Sequence, residues 1–399
     1  MSQRTAASSG GAAGALPLLS YGFRPFFLLA GLWAALTLPL WLAALAGAMT
    51  LPTAFDAQTW HVHEMLYGYL AATLTGFLLT AVPNWTGRLP LRGAPLALLA
   101  LLWLAGRLAV LTSGAIGALP AALVDLSFLA LLLFVILREI LSGGNWRNLP
   151  VALAVALFFA GNLISHLELL GVSPSYALGE RIGLAVMTFL IALIGGRIVP
   201  SFTRNWLVKR QVPALPAPFS TFDRASLLVT LVALALFVFE VDGMPFALAA
   251  GLAAAMNLLR LLRWRGWSTL AEPLLAMLHL AYLWLPLGFG LLALQALDSA
   301  ISPSAALHAL GLGAMGGMTL AVMTRATLGH TGRLLEAGPG TVAIYGLVTL
   351  AALTRVATAL VPAADWLLHP AGAAWIAAFL LFLLVYGPTL LATARSASR

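Results

Sequence analysis

The stretch HEMLYGYLAATLTGFLLTAVPNWTGR, residues 63–88, carries the pattern from which the fold follows. Between Glu64 and Arg88 it contains no charged residue. A helix that crosses a lipid bilayer needs about 20 consecutive, mainly apolar residues. This stretch meets that requirement and predicts a membrane-spanning helix, which we place at 58–83.

The same pattern recurs along the whole chain. It predicts eleven further spans, at 21–47, 94–112, 118–140, 149–171, 178–200, 223–240, 243–261, 269–296, 303–327, 341–361 and 366–392. The composition agrees, because 61% of the 399 residues are hydrophobic and only 9% are charged, whereas soluble domains carry roughly 25% charged residues. The predicted fold class is an all-α, polytopic membrane protein with twelve transmembrane helices in a lipid bilayer.

The basic residues are distributed unevenly among the loops. With the N-terminus inside and twelve crossings, all of the 21 lysines and arginines except Arg107, Arg181 and Arg355 fall on the cytoplasmic side. An excess of positive charge in cytoplasmic loops is the usual signal of orientation. We therefore predict that both termini are cytoplasmic. Since the net charge of +8 is explained by orientation, we expect no nucleic-acid partner.

The chain reads as one domain with a short leading segment. Residues 1–20 are rich in Ser, Ala and Gly, and we expect them to be flexible and not to be a cleaved signal peptide. Residues 21–399 form a single twelve-helix domain. The connection 201–222 contains three prolines, which make a linker stiff. It would divide the domain into halves at 21–200 and 223–392.

One weak internal repeat is visible. The segments 63–88 and 308–333 have the same length, begin with His and end with Thr-Gly-Arg. The other matches between them are few, so a duplication is only a hypothesis. In the predicted arrangement both segments cross the membrane from outside to inside, as the second and tenth helices.

Histidine is the main candidate metal ligand, because the chain contains no cysteine and thiolate sites are excluded. Imidazole is a common ligand of iron, copper and zinc. Five histidines fall near the outer ends of predicted helices: His61, His63, His166, His308 and His369. His279 lies closer to the midplane, and His330 lies in an inner loop. We predict a metal layer open to the periplasmic side, with His61, His63, His166, His279 and His308 as ligands and His330 and His369 as weaker candidates. The alternative for each is a hydrogen bond between helices.

The spacing of His61 and His63 constrains this site. Residues two positions apart on a regular helix are separated by about 200° around its axis. The side chains of His61 and His63 therefore point to opposite sides and serve two different sites, unless the helix begins irregularly. Glu64 could orient a ligand histidine, and Tyr67 shares the face of His63. Asn162 lies four residues before His166 and could be its hydrogen-bond partner. For Tyr67 and Asn162, helix packing is the alternative.

The tenth helix and two arginines suggest a large cofactor. Gly311, Gly313, Gly316 and Gly317 follow His308, and such small residues either let helices pack closely or leave room for a flat macrocycle such as haem. Arg107 and Arg355 lie in outer halves of spans, where a buried arginine needs an anionic partner. Haem propionates would provide one, and so would Glu64 and Asp125. The candidate cofactor-binding residues are therefore His61, His63, His308, Arg107 and Arg355.

Several motifs resemble one known family. They are YGFRPFF at 21–27, HVHEMLYGY at 61–69, GFLLTAVPNWTGR at 76–88, GGRIVPSFTRN at 195–205, HLAYLWLPLG at 279–288 and HALGLGAMGGMTLAVMTRATLGHTGR at 308–333. With these motifs the chain resembles the NnrS family of bacterial membrane proteins, and GNLISHLE around His166 is also similar. The resemblance implies a twelve-helix protein of the bacterial inner membrane that holds haem, taken here as haem b, and copper, and that is linked to nitric oxide metabolism and nitrosative stress. It places His61, His63, His279, His308 and His330 in family motifs.

The chain also resembles the haem–copper oxidases distantly, in helix count. Their haem-ligating histidines lie on helices 2 and 10 near the outer face, as His63 and His308 do here. They bind copper through histidines on helices 6 and 7, and those two predicted helices contain no histidine. Copper would therefore need other ligands, such as His166, His279 or His61.

Three functions remain open at this level. The first is a redox metalloprotein, a candidate oxidoreductase that binds or reduces nitric oxide with electrons from an unknown donor, with His63 or His308 as an axial ligand. The second is a secondary transporter, which twelve helices in two halves permit. The third is a metal-dependent sensor, or a haem or copper delivery protein, without turnover.

Overall fold

The computed structural model describes residues 16–298 and 300–392. Over these residues it contains no strand and twelve helices long and apolar enough to cross a membrane, which confirms the predicted fold class. Numbered α1 to α12 in chain order, they are Phe23–Leu45, Ala57–Thr86, Ala94–Leu111, Ala118–Ser142, Trp146–Leu169, Leu178–Lys209, Thr221–Val238, Met244–Arg263, Pro273–Leu297, Pro303–His330, Pro339–Leu360 and Ala363–Leu391. Of the leading segment predicted at 1–20, residues 1–15 lie outside the described residues, and Pro17–Leu19 form a short helical turn.

The largest difference from the predicted bounds is at the end of α6. The sequence places this end at Pro200, since proline usually stops a helix, but the helix continues to Lys209. Proline is tolerated inside membrane helices because neighbouring groups satisfy the freed backbone carbonyl. The connection predicted at 201–222 is therefore helical over its first nine residues. The division into two halves stays a prediction.

Helices α2, α6 and α10 lie inside the bundle and share an irregularity. Each contains a π-helical segment, at Glu64–Leu70, Ile191–Gly195 and Ala309–Gly316 respectively. The three helices contact one another: Tyr67 on α2 donates to the carbonyl of Gly179 on α6, Tyr69 on α2 bonds Thr319 on α10, and α6 packs against the π segment of α10. Such π segments are frequent at functional sites.

The remaining helices surround this centre. Consecutive helices pack from α3 to α12, and α12 closes the arrangement by packing on α1. In each of these outer helices except α9, at most half of the apolar 18-residue window is buried, as expected of lipid-facing helices. Chemistry that must be shielded from lipid is therefore concentrated at α2, α6 and α10 and their immediate neighbours.

The repeated Thr-Gly-Arg has a local structural cause. In both copies the threonine hydroxyl donates to the carbonyl four residues earlier, Thr86 to Val82 and Thr331 to Thr327. The glycine that follows has a φ of 70° in both copies, a left-handed conformation that glycine adopts without strain and that commonly ends helices. The motif thus lies at the end of both helices, with Gly87 directly after α2 and Gly332 two residues after α10. The proposed duplication itself stays a hypothesis.

A close approach of α5 and α6 gives a first prediction. A Cβ on Gly179 would lie 2.5 Å from two backbone atoms of α5, the carbonyl oxygen of Gly161 and the nitrogen of Ser165. Because backbone atoms cannot move away without shifting a helix, Gly179→Ala should destabilise the protein by about 1–3 kcal/mol. The measurement is thermal or denaturant unfolding of the purified variant.

The matched control for this prediction is Gly290→Ala in α9. A Cβ at Gly290 meets no heavy atom within 4 Å, so this change should be neutral or stabilise the helix by up to about 1 kcal/mol. Equal unfolding curves for the two variants would show that the α5–α6 approach carries no packing constraint.

Candidate functional site

The start of α2 is fixed by Asp56, which lies just before the helix. Its carboxylate accepts hydrogen bonds from the backbone N–H groups of Gln58 and Thr59, both at 3.0 Å, and so caps the helix. Burial acts to raise the pKa of Asp56, but the hydrogen bonds from Thr59 and Gln58 outweigh it and lower the pKa below its ordinary value. The cap orients the first turns of α2, which carry His61 and His63.

His61 and His63 serve different environments. His61 lines an open cavity, whereas the side chain of His63 is fully buried in a cluster of polar groups. The helix is regular up to His63, and its π segment begins at Glu64. The two side chains therefore diverge as two positions of a regular helix must, which is the arrangement that the sequence predicts for two separate sites.

The cavity has a volume of about 770 Å³ and lies mainly between α1, α2, α6, α10 and α12, with further lining residues from α7, α9 and α11. His61 and His308 both line it, and so do Arg181 and Arg355. Most of its other lining groups are apolar or aromatic, among them Leu38, Trp41, Met65, Leu66, Tyr69, Met315 and Trp375. An apolar cavity with a few polar groups is the usual form of a cofactor site.

His308 has a defined hydrogen-bond pattern. Its Nδ1 lies 2.8 Å from the carbonyl oxygen of Ser304, so Nδ1 carries the proton and donates it. In this tautomer the lone pair of Nε2 is free to bind a metal, as is typical of metal-ligating histidines. Arg355 donates to the hydroxyl of Ser304 at 2.8 Å, which holds the arginine beside His308.

His61 lies against Trp41. The two rings are stacked with their centroids 4.2 Å apart and an angle of 19° between their planes. Its Nδ1 is buried and has no hydrogen-bond partner among the described residues. Unpaired buried polar atoms are rare in native proteins and call for an explanation, such as a missing ligand or water.

The glycines of α10 divide into two groups. A Cβ on Gly313 or Gly316 would collide with Trp284 or Trp375, so these two allow close packing. A Cβ on Gly311 would meet no heavy atom within 4 Å, and Gly311 lines the cavity. Both readings of the sequence therefore apply, with packing at Gly313 and Gly316 and open space at Gly311.

A second, fully buried cluster lies on the other side of α2. Glu64 accepts a hydrogen bond from Arg107 at 2.6 Å and contacts His63 Nδ1 at 3.0 Å. Arg107 also pairs with Asp125. The anionic partners of Arg107 are thus Glu64 and Asp125, which the sequence leaves open as an alternative to haem propionates, and Arg107 does not line the cavity.

Asn162 and His166 complete this cluster. Asn162 donates its amide to Asp125 at 2.9 Å, and its oxygen lies 2.9 Å from His63 Nε2. The sequence pairs Asn162 with His166, but the structure shows it bonded to His63 and Asp125. His166 Nε2 instead contacts Asp125 at 2.9 Å, and its Nδ1 has no partner among the described residues.

Three of these residues are arranged as metal ligands could be. One ligand atom each from His63, Asp125 and His166 lie within 4.8 Å of one another, and all three residues are buried. Tyr67 packs on the His63 ring with centroids 5.3 Å apart. We call the group of His63, Glu64, Arg107, Asp125, Asn162 and His166 the buried cluster.

The other three histidines lie elsewhere. His279 Nε2 contacts the Thr203 hydroxyl at 2.8 Å in the C-terminal part of α6. His330 ends α10 and packs on Phe23 with ring centroids 5.6 Å apart. His369 is exposed at the start of α12. None of the three lines the cavity or belongs to the buried cluster.

The candidate ligands from the sequence omit Asp125, which appears there only as a partner for arginine. The signal was available, because an acidic residue inside an apolar span is costly and commonly functional. The role of Ser304 had no such signal, since a serine near a helix start is ordinary.

A comparison with models of known protein families matches residues 17–393, nearly the whole chain, to the NnrS protein family. The chain belongs to the NnrS family. A search of curated proteins finds no match. This NnrS protein therefore combines, in one membrane bundle, a cavity with two histidines and a separate buried cluster with two more.

Proposed function

We propose that this chain is a haem-binding protein of the bacterial inner membrane that binds nitric oxide and reduces it, and so protects against nitrosative stress. The observation that carries the proposal is the pair His61 and His308 on one cavity inside the bundle. Family membership supports a link to nitric oxide. We also propose that both termini are cytoplasmic, on the distribution of arginines.

The residues around the cavity fit a haem. Its volume of about 770 Å³ lies within the range of about 300–1,000 Å³ typical of ligand sites. His308 offers a free Nε2, and His61 has an orphaned ring nitrogen. Arg355 provides positive charge for one propionate, whereas Arg181, which also lines the cavity, already pairs with Glu240 at 2.8 Å. We therefore propose His61 and His308 as the haem ligands, in place of the expected His63, which does not line the cavity.

A bound haem b would supply an iron that passes electrons one at a time, and nitric oxide would compete with His61 or His308 for binding to it. The chain's own residues control the surroundings. Met65, Met315 and Trp375 present apolar surface that disfavours water, while nitric oxide, small and uncharged, enters from the bilayer without a polar channel. Arg355 donates a hydrogen bond to the Ser304 hydroxyl, and the Ser304 carbonyl accepts a hydrogen bond from His308 Nδ1. The second bond fixes the orientation of the His308 ring.

For copper we propose the buried cluster. His63, His166 and Asp125 offer two imidazole nitrogens and a carboxylate within reach of one ion, and imidazole suits copper. The buried Nδ1 of His166 has no hydrogen-bond partner among the described residues, which supports a ligand site at this cluster. Glu64 would orient His63 through Nδ1, while Nε2 would exchange Asn162 for the ion. Arg107 would balance the charge of the two carboxylates.

The copper assignment gives a second prediction. His166→Ala should lower bound copper at least about tenfold, because it removes a direct ligand. Removing only a hydrogen-bond partner of a ligand already lowers metal affinity about 10–100-fold. The haem content should stay the same, since His166 does not line the cavity. Metal analysis and the haem absorption band measure both. Full copper content in the variant would contradict the assignment.

Nitric oxide consumption tests the function itself. The reduced protein in proteoliposomes should consume nitric oxide, with products analysed to identify the reaction. A haem protein that binds nitric oxide without consuming it would instead be a sensor or a delivery protein. A colourless, metal-free protein that accumulates a solute in vesicles would support a transporter.

A further inference from the structure

A second pocket, of about 610 Å³, lies at the opposite end of α2 from His61. It is formed by the end of α2 and the end of α4, with residues 87–92 of the connection after α2 as its rim. Its polar lining consists mainly of Arg88, Arg92, Arg138 and Glu139. Neither the cavity nor the buried cluster includes any of these residues.

The pocket carries an excess of positive charge. Glu139 accepts from Arg88 Nε at 2.5 Å and from Arg138 Nη2 at 2.6 Å. One carboxylate thus holds two guanidinium groups in place, and Arg92 adds a third, for a net charge of two positive units. Within the described part of the chain, Arg92 and the terminal nitrogens of Arg88 have no hydrogen-bond partner. These N–H groups remain available to an anion.

The arrangement of arginines favours a phosphate group. A guanidinium presents parallel N–H donors that match two phosphate oxygens. Basic pockets between membrane helices on the arginine-rich side are typical binding sites of anionic lipid headgroups. The helix ends that form this pocket lie at the level where such headgroups are found.

The apolar parts of the pocket favour a lipid over a soluble anion. Its floor contains the buried side chains of Val82 and Ile136. At its rim, Leu89 is 81% exposed, which is unfavourable in water and favourable against acyl chains. We propose that this pocket binds an anionic phospholipid of the phosphatidylglycerol or cardiolipin class, with its phosphate on Arg88, Arg92 and Arg138.

The test is a lipid titration of the purified protein followed by native mass spectrometry. Phosphatidylglycerol should bind the unaltered chain more tightly than phosphatidylcholine. Each arginine near a membrane surface contributes about fivefold in affinity, so Arg92→Gln with Arg138→Gln should weaken phosphatidylglycerol binding about 25-fold. The matched control is Arg204→Gln with Arg224→Gln, two exposed arginines outside the pocket, which should leave the tight site unchanged.

Two results would overturn the proposal. In the first, the control pair weakens phosphatidylglycerol binding as much as the pocket pair, which would show only a general effect of charge. In the second, inorganic phosphate at the same concentration displaces the lipid, which would identify a site for a free anion. If the double variant does not fold, Arg92→Gln alone still decides. Arg92 makes no side-chain hydrogen bond or ion pair among the described residues that the change would break, and its loss should weaken binding about fivefold.

Discussion

Replacing His308 or His61 by alanine is expected to remove more than about nine-tenths of the bound haem. Each change deletes an imidazole that we propose as a direct ligand, and losing even an outer hydrogen-bond partner of a ligand costs about 10–100-fold in affinity. The Soret absorption band of haem, together with a pyridine-haemochrome assay, measures the haem content of each purified variant.

Two further histidine variants make this experiment specific. His63→Ala should keep most of its haem, because the His63 ring is bonded inside the buried cluster and does not line the cavity. His369→Ala is the matched control, since this histidine is exposed and lies outside both sites. Unchanged spectra in both His61→Ala and His308→Ala would refute the haem site. If only His63→Ala loses haem, the ligand is His63, as the sequence predicts.

Replacing Arg107 by methionine is expected to destabilise the protein by about 3–5 kcal/mol. Removing one partner of a buried ion pair leaves an uncompensated buried charge, and such changes have effects of this size. Here two carboxylates, Glu64 and Asp125, would lose their cation at once, and both are almost completely buried. The measurement is the midpoint of unfolding, compared in one detergent or nanodisc composition.

The chain offers a control at the surface for the same type of change. Arg138 pairs with Glu139, and its side chain is 48% exposed, so Arg138→Met should cost only about 0–1 kcal/mol. A rescue is also expected. Adding Asp125→Asn to Arg107→Met removes one of the two stranded charges and should recover part of the lost stability. If Arg107→Met and Arg138→Met unfold alike, the buried cluster is not the stabilising charge network that its geometry indicates.

Part of the site was accessible from the sequence. The separation of His61 from His63, the contact of Glu64 with His63 and the opposing charges for Arg107 all follow from helix geometry and the cost of burying charge. The partner of Asn162 did not follow. A spacing of four residues brings Asn162 and His166 to one face of α5, but the amide bonds His63, which approaches from α2. The local spacing was correct, and a contact between helices decided the hydrogen bond.

The sequence by itself determined the number, length and approximate bounds of the membrane helices, because the thickness of the bilayer imposes a local requirement for apolar residues. It also determined that any metal site must use His, carboxylate, Met or amide ligands, since cysteine is absent. Only the tertiary structure decided which histidines share a site. The rotation of each helix about its axis depends on packing against its neighbours, and that packing brings His61 toward His308 and His63 toward His166 across helices far apart in the chain.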